Sequence, residues 1–127
     1  MEFNTAFQFV PIDKRRTVSK PRKSGITMVS DYQLGLASLS DLIEVAGHYI
    51  DLFKIATGTS RLFEKTHLQA KIEMLRANDI RPFLGGQFQE YVIHTMGVDA
   101  MPRHLSEARA LGFDIIEISD NMICLLY

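Results

Sequence analysis

Short apolar stretches alternate along the chain with longer segments whose apolar residues recur at helical spacing, and the alternation runs four times. Ile26-Thr27-Met28-Val29 is rich in β-branched residues and leads through Ser30-Asp31 to a loop glycine, Gly35, which predicts a first strand. Leu36, Leu39, Leu42, Ile43, Ala46 and Ile50 then predict a helix, with Ser38 and Asp41 in the relation of a capping box and Gly47 near the stop. The unit repeats. Leu52 to Ala56 reads as a strand, Gly58-Thr59-Ser60 as a turn, and Leu68, Ile72 and Leu75 as one face of a helix with Thr66 and Gln69 as its capping signal and Asn78 as its stop. Ile80 to Leu84 is a third strand containing Pro82, a residue suited to an edge or an irregularity, and Gly85-Gly86 follows. A short helical stretch from Phe88 to Met96 precedes a main helix that begins near Pro102, buries Leu105, Ala108 and Leu111, and stops at Gly112. Phe113 to Asp120 is the fourth strand, with an acid, Glu117, inside it.

Strands separated by helices at this spacing form βαβ units, which enforce parallel pairing and right-handed crossovers. The predicted fold class is therefore α/β, a parallel (β/α) repeat forming the N-terminal half of a TIM (β/α)8 barrel and cut after its fourth strand. Three segments are expected: a basic lead-in over 1–23, four βα-type units over 24–121, and an apolar tail over 122–127 that reads as a truncation product. The first and fourth strands would leave unpaired edges, so either the frame is truncated or the chain assembles as a homo-oligomer that covers them.

With 127 residues, one domain is the expectation. A net charge of −1 offers no attraction to nucleic acid or an anionic membrane, and no apolar run reaches the length of a membrane span. Cys124 is the single cysteine, which excludes an intrachain disulfide and fits a reducing, cytoplasmic setting. The lead-in crowds Lys14, Arg15, Arg16, Lys20, Arg22 and Lys23 together, either as a solvated arm or as part of a pocket for an anion.

Barrels of this kind keep their chemistry at the carboxyl ends of the strands. Alternation assigns Phe53 and Ile55 to the helix side of the second strand, leaving Leu52, Lys54 and Ala56 inward, and it assigns Ile116 and Ile118 to the helix side of the fourth, leaving Ile115, Glu117 and Ser119 inward. Lys54 and Glu117 then meet in one cavity, as a structural ion pair or as functional groups. In the first strand, Ile26 and Met28 outward would turn Thr27, Val29 and Asp31 inward; Asp31 reads equally as a turn residue. Gly85-Gly86 permits close backbone approach or positive φ, Gly58-Thr59-Ser60 offers amides and hydroxyls to an anion, and Arg61 beside it has the geometry of a phosphate clamp. His48, His67, His94 and His104 have no metal-site spacing and read as solvated residues, while Met74, Met96 and Met101 read as core filler.

Lys20 to Val29, Tyr49 to Ile55, Gly58-Thr59-Ser60, Gly85-Gly86 and Leu111 to Asp120 together resemble the phosphosulfolactate synthase family in order and spacing. The resemblance runs from Lys20 to Asp120 and covers roughly the first half of a family member, with Gln87 and Asn121 departing from the pattern where threonine and glycine are usual. It implies a (β/α)8 lyase that adds sulfite to phosphoenolpyruvate with Mg2+, a reaction of the coenzyme M biosynthesis type. Carried over, it implies Lys54 and Glu117 as catalytic groups, Lys20, Arg22, Ser60, Arg61, Gly85, Gly86 and Ser119 as the substrate-binding set, and Glu117, Asp120 and Asp31 as magnesium ligands. The alternative is a non-catalytic relative similar to plant heat-stress-associated proteins and acting through protein contacts, or an inactive fragment.

Overall fold

A computed structural model describes residues 6–13, 15 and 19–121. The tail with Cys124, and Lys14 and Arg16 of the lead-in, lie outside the described residues. Four strands, β1 (Met28–Asp31), β2 (Leu52–Ile55), β3 (Arg81–Leu84) and β4 (Ile115–Ile116), alternate with the helices α1 (Leu36–Ala46), α2 (Lys65–Ala77), α3 (Gly86–Met96) and α4 (Met101–Leu111). All pairings are parallel and the spatial order is β1-β2-β3-β4, the same as the order along the chain. Each crossover thus steps one strand in the same direction, the winding of a (β/α) barrel; a doubly wound sheet would reverse. The fold is the α/β half-barrel that the repeat predicts.

The core lies between the sheet and its helices. Phe53 and Ile55 of β2 and Leu84 of β3 pack against Leu39 of α1, Leu68, Ile72 and Leu75 of α2 and Ala108 of α4. The opposite sheet face is more open: Met28 is half-exposed, Ser30 is exposed and Lys54 is partly buried, whereas Phe83 is buried. Among the described residues, no helix is long and apolar enough to cross a membrane.

Pro82 sits inside β3 without breaking it. Arg81 and Gly85 donate their amides toward β2, to Asp51 and Ile55. Alternation turns the nitrogen of Pro82 toward β4, whose ladder begins only at Phe83 opposite Ile115, so no bond is lost.

Several local expectations are corrected. Neither capping box forms, because α1 starts behind Gly35 and α2 behind Glu64, each without a side-chain cap, which puts Ser38 and Thr66 inside the helices. Leu105 is exposed and Met96 is exposed, so neither is core. The fourth strand contracts to two laddered residues, and Ile118 is exposed beyond it. The orientation of β1 is the reverse of the prediction. Val29 packs on the helix-side core and Asp31 is buried beside α2, where Lys71 Nζ lies 2.5 Å from its Oδ2.

Candidate active site at the carboxyl ends of the strands

Lys54 stands on the open face of β2, in register with Phe83 of β3, which in turn pairs with Ile115 of β4. Glu117 lies one residue past β4, and its backbone amide donates to Leu84 O, so the parity of the strand carries to its side chain. The two side chains meet. Lys54 Nζ is 2.9 Å from Glu117 Oε1 and 2.7 Å from Oε2, spanning the carboxylate, with both side chains partly solvated.

Oε2 also accepts the backbone amide of Gly86 at 2.7 Å. Gly86 is the first residue of α3, whose unpaired N-terminal amides favour a negative charge. Partial burial pushes the Glu117 carboxyl upward, but the Lys54 hydrogen bond, the Gly86 amide and the Lys54 charge outweigh it and hold the group below the usual carboxylate range. Glu117 is therefore ionised near neutrality.

Both glycines are required by close approach within the protein, not by positive φ. A Cβ on Gly85 would lie 3.1 Å from Lys54 Cε and 3.2 Å from Ile55 O, and a Cβ on Gly86 would lie 2.9 Å from the backbone nitrogen of Ser119. Ser119 Oγ makes a short hydrogen bond to the buried Glu90 of α3, which also accepts the Asn121 amide at 3.1 Å. Glu90 thus ties the segment after β4 to α3. Sequence reading missed it, although Glu90 follows Gly86 by four residues and so shares its helix face.

The remaining predicted residues separate into other places. Lys20 and Arg22 lie at the opposite end of the sheet. Lys20 Nζ donates to Gly47 O and Asn78 O at the ends of α1 and α2, while Arg22 bonds Asp51 Oδ1 at 2.7 Å and His48 O at 2.5 Å. The backbone of Asp51 is about 10 Å back along the strand from that of Lys54. These two cations are neither a solvated arm nor neighbours of Glu117; they hold the lead-in against the floor of the sheet. Ser60 and Arg61 belong to a single 3-10 turn after β2 and line a cleft with Leu68, Phe88 and His104, a lining that does not include Lys54 or Glu117. The histidines are less solvated than expected, since Nε2 of His48, His67 and His104 is buried.

The three acids expected to hold magnesium do not converge. Asp31 is on the helix side, tied to Lys71 and to the amides of Gln33 and Leu34 at 3.1 and 2.7 Å. Both oxygens of Glu117 are engaged by Lys54 and Gly86, and Asp120 is exposed. Among the described residues, no group of three or more His, Cys, Asp or Glu side chains is arranged to hold a metal.

Residues 15–126 match the sequence model of the family described as (2R)-phospho-3-sulfolactate synthase (ComA). The chain is 39% identical over 104 residues to the phosphosulfolactate synthase of Methanothermobacter thermautotrophicus, a match covering 82% of this chain and 39% of that protein. It is 32% identical over 105 residues to the phosphosulfolactate synthase of Bacillus subtilis, covering 83% and 40%. It is also 27% identical over 107 residues to Protein HEAT-STRESS-ASSOCIATED 32 of Arabidopsis thaliana, covering 82% and 37%. The chain spans about two fifths of the length of each of these relatives.

Proposed function

The chain belongs to the phosphosulfolactate synthase family, and from that premise we propose that it carries the Lys54 half of a site for the magnesium-dependent addition of sulfite to phosphoenolpyruvate, in a cytoplasmic setting. The single observation behind this reading is the Lys54–Glu117 pair with the Gly86 amide at the carboxyl ends of the strands. In the reaction, the sulfur lone pair of sulfite bonds to the methylene carbon of phosphoenolpyruvate. The π electrons move toward the carboxylate, giving an enediolate-like species, and a proton then reaches the central carbon to leave phosphosulfolactate. A fixed ammonium beside the developing charge stabilises that transition state. Lys54 fills this role, and Glu117 holds the ammonium in place until the anionic substrate competes for it. The acids of the described residues do not form a magnesium site, so no step is assigned to the ion.

Four strands are half of a closed barrel, and further βα units or a second copy of the chain would close the site's open side. Phosphorus NMR of the protein with phosphoenolpyruvate, sulfite and Mg2+ tests the reading. The enol phosphate signal should give way, only when sulfite is present, to that of an aliphatic phosphate ester, and Lys54→Met should slow this by about 10²–10³-fold. A rate unchanged by Lys54→Met removes the assignment. Absence of sulfite-dependent turnover favours the second reading, a relative like the heat-stress-associated protein that acts through protein contacts, for which the half-exposed Met28 on the open sheet face is the supporting observation.

A further inference from the structure

We propose that the cleft between α2, α3 and α4 binds a small organic monoanion, a carboxylate on an apolar body of about benzene size, at a site separate from the Lys54–Glu117 pair. The cleft has two lobes. One of about 170 Å³ is lined by Ser60, Arg61, Leu68, Phe88, His104 and Ala108 among others. The second, of about 300 Å³, runs between α3 and α4 and shares Arg61, Phe88, His104 and Glu107 with the first, adding Arg103. An apolar cavity of about 150 Å³ is enough to hold benzene.

Two polar groups in this lining lack a partner. Ser60 is 8% exposed, and its Oγ and His104 Nε2 are buried with no hydrogen-bond partner among the described residues. Buried polar atoms are rarely left so, and each such atom asks for a complementary group. His104 is fixed upright by Phe88, the ring centroids 5.0 Å apart and the planes at 85°. Burial holds its imidazole below the usual range against the opposing charge of Glu107, so it is neutral near pH 7 and can donate from Nε2.

Charge selects the ligand class. Arg61 and Arg103 are not in any ion pair among the described residues, and neither is Glu107. Two cations against one anion favour a single negative charge and disfavour a dianion such as phosphate. A carboxylate would take the Arg61 guanidinium, with Ser60 and His104 turning slightly to donate, while its apolar body lies along Phe88, Leu68 and Ala108.

The probe is benzoate, followed by NMR of the His104 ring in the intact chain, a measurement independent of turnover. Saturable binding is expected, with Kd on the order of 1 mM and a rise in the His104 pKa on saturation. Arg61→Ala, a change at an exposed side chain, should weaken binding about tenfold, as should replacing benzoate by neutral benzamide. Lys54→Met should leave it unchanged. No saturable response would mean a cleft holding solvent only and would overturn the proposal. So would equal binding of inorganic phosphate, or loss of benzoate binding in Lys54→Met with retention in Arg61→Ala.

Discussion

Replacing Gly86 by alanine sets two effects of opposite sign against each other. Gly86 has helical backbone at the start of α3, where alanine would ordinarily gain up to about 1 kcal/mol in helix propensity. The added Cβ, however, would stand 2.5 Å from Ser119 Oγ, 2.8 Å from Ser119 Cβ and 2.9 Å from Ser119 N. Oγ can rotate away only by leaving Glu90, and the backbone nitrogen cannot rotate away at all. Overpacking of this kind costs about 1–3 kcal/mol. Displacing α3 also stretches the amide bond to the charged Glu117, an interaction worth about 1.5–3 kcal/mol. The clash wins, and Gly86→Ala is expected to destabilise by about 2–4 kcal/mol. Urea denaturation would read this as a lower midpoint, and carbon NMR would show the Glu117 carboxyl titrating at higher pH as its amide partner retreats. Adding Ser119→Gly should recover part of the loss, because two of the three obstructing atoms disappear. An alanine variant as stable as the parent, with Glu117 unmoved, would refute the close-packing account of the glycine pair.

Lys71→Met should cost about 3–5 kcal/mol by leaving Asp31 buried without its cation, and the double variant with Asp31→Asn should be much less affected; a single-variant loss below about 1 kcal/mol in urea melts contradicts the buried pair. Glu117 is held below the usual carboxylate range, so the stability from its pair with Lys54 is full above the unfolded carboxyl's titration and is lost as pH falls through the folded-state value. The parent should therefore lose stability in acid more steeply than Glu117→Gln, and parallel curves would contradict the pairing. Arg22→Met should lower the thermal midpoint by removing the cation from Asp51, whose Thr27 amide bond remains; an unchanged midpoint would show that the lead-in contributes nothing there.

The positions of strands and helices were legible because each depends on spacing within one unit: β-branched runs, apolar residues recurring every three or four positions, and glycines at the stops. Gly112 shows this well, adopting the left-handed conformation that ends α4 where the sequence placed it. Helix starts were less legible. Ser38 and Thr66 have capping spacing, yet turn geometry begins each helix two or three residues earlier.

Side-chain direction was readable wherever one face of a strand is plainly more apolar, as in β2, and this carried Lys54 and Glu117 to the same face. The rule failed in β1 because the sheet face there is open, so Met28 stays half-exposed and apolar character no longer marks the helix side. What turned Asp31 to the helix side beneath α2 was Lys71, forty positions further on, and what drew Lys20 and Arg22 away from Lys54 was a set of carbonyls at helix ends and the carboxylate of Asp51. Periodicity is a property of neighbours along the chain and fixes element and parity. The partner of a charge is a property of neighbours in space, created only once crossovers have packed the helices onto the sheet.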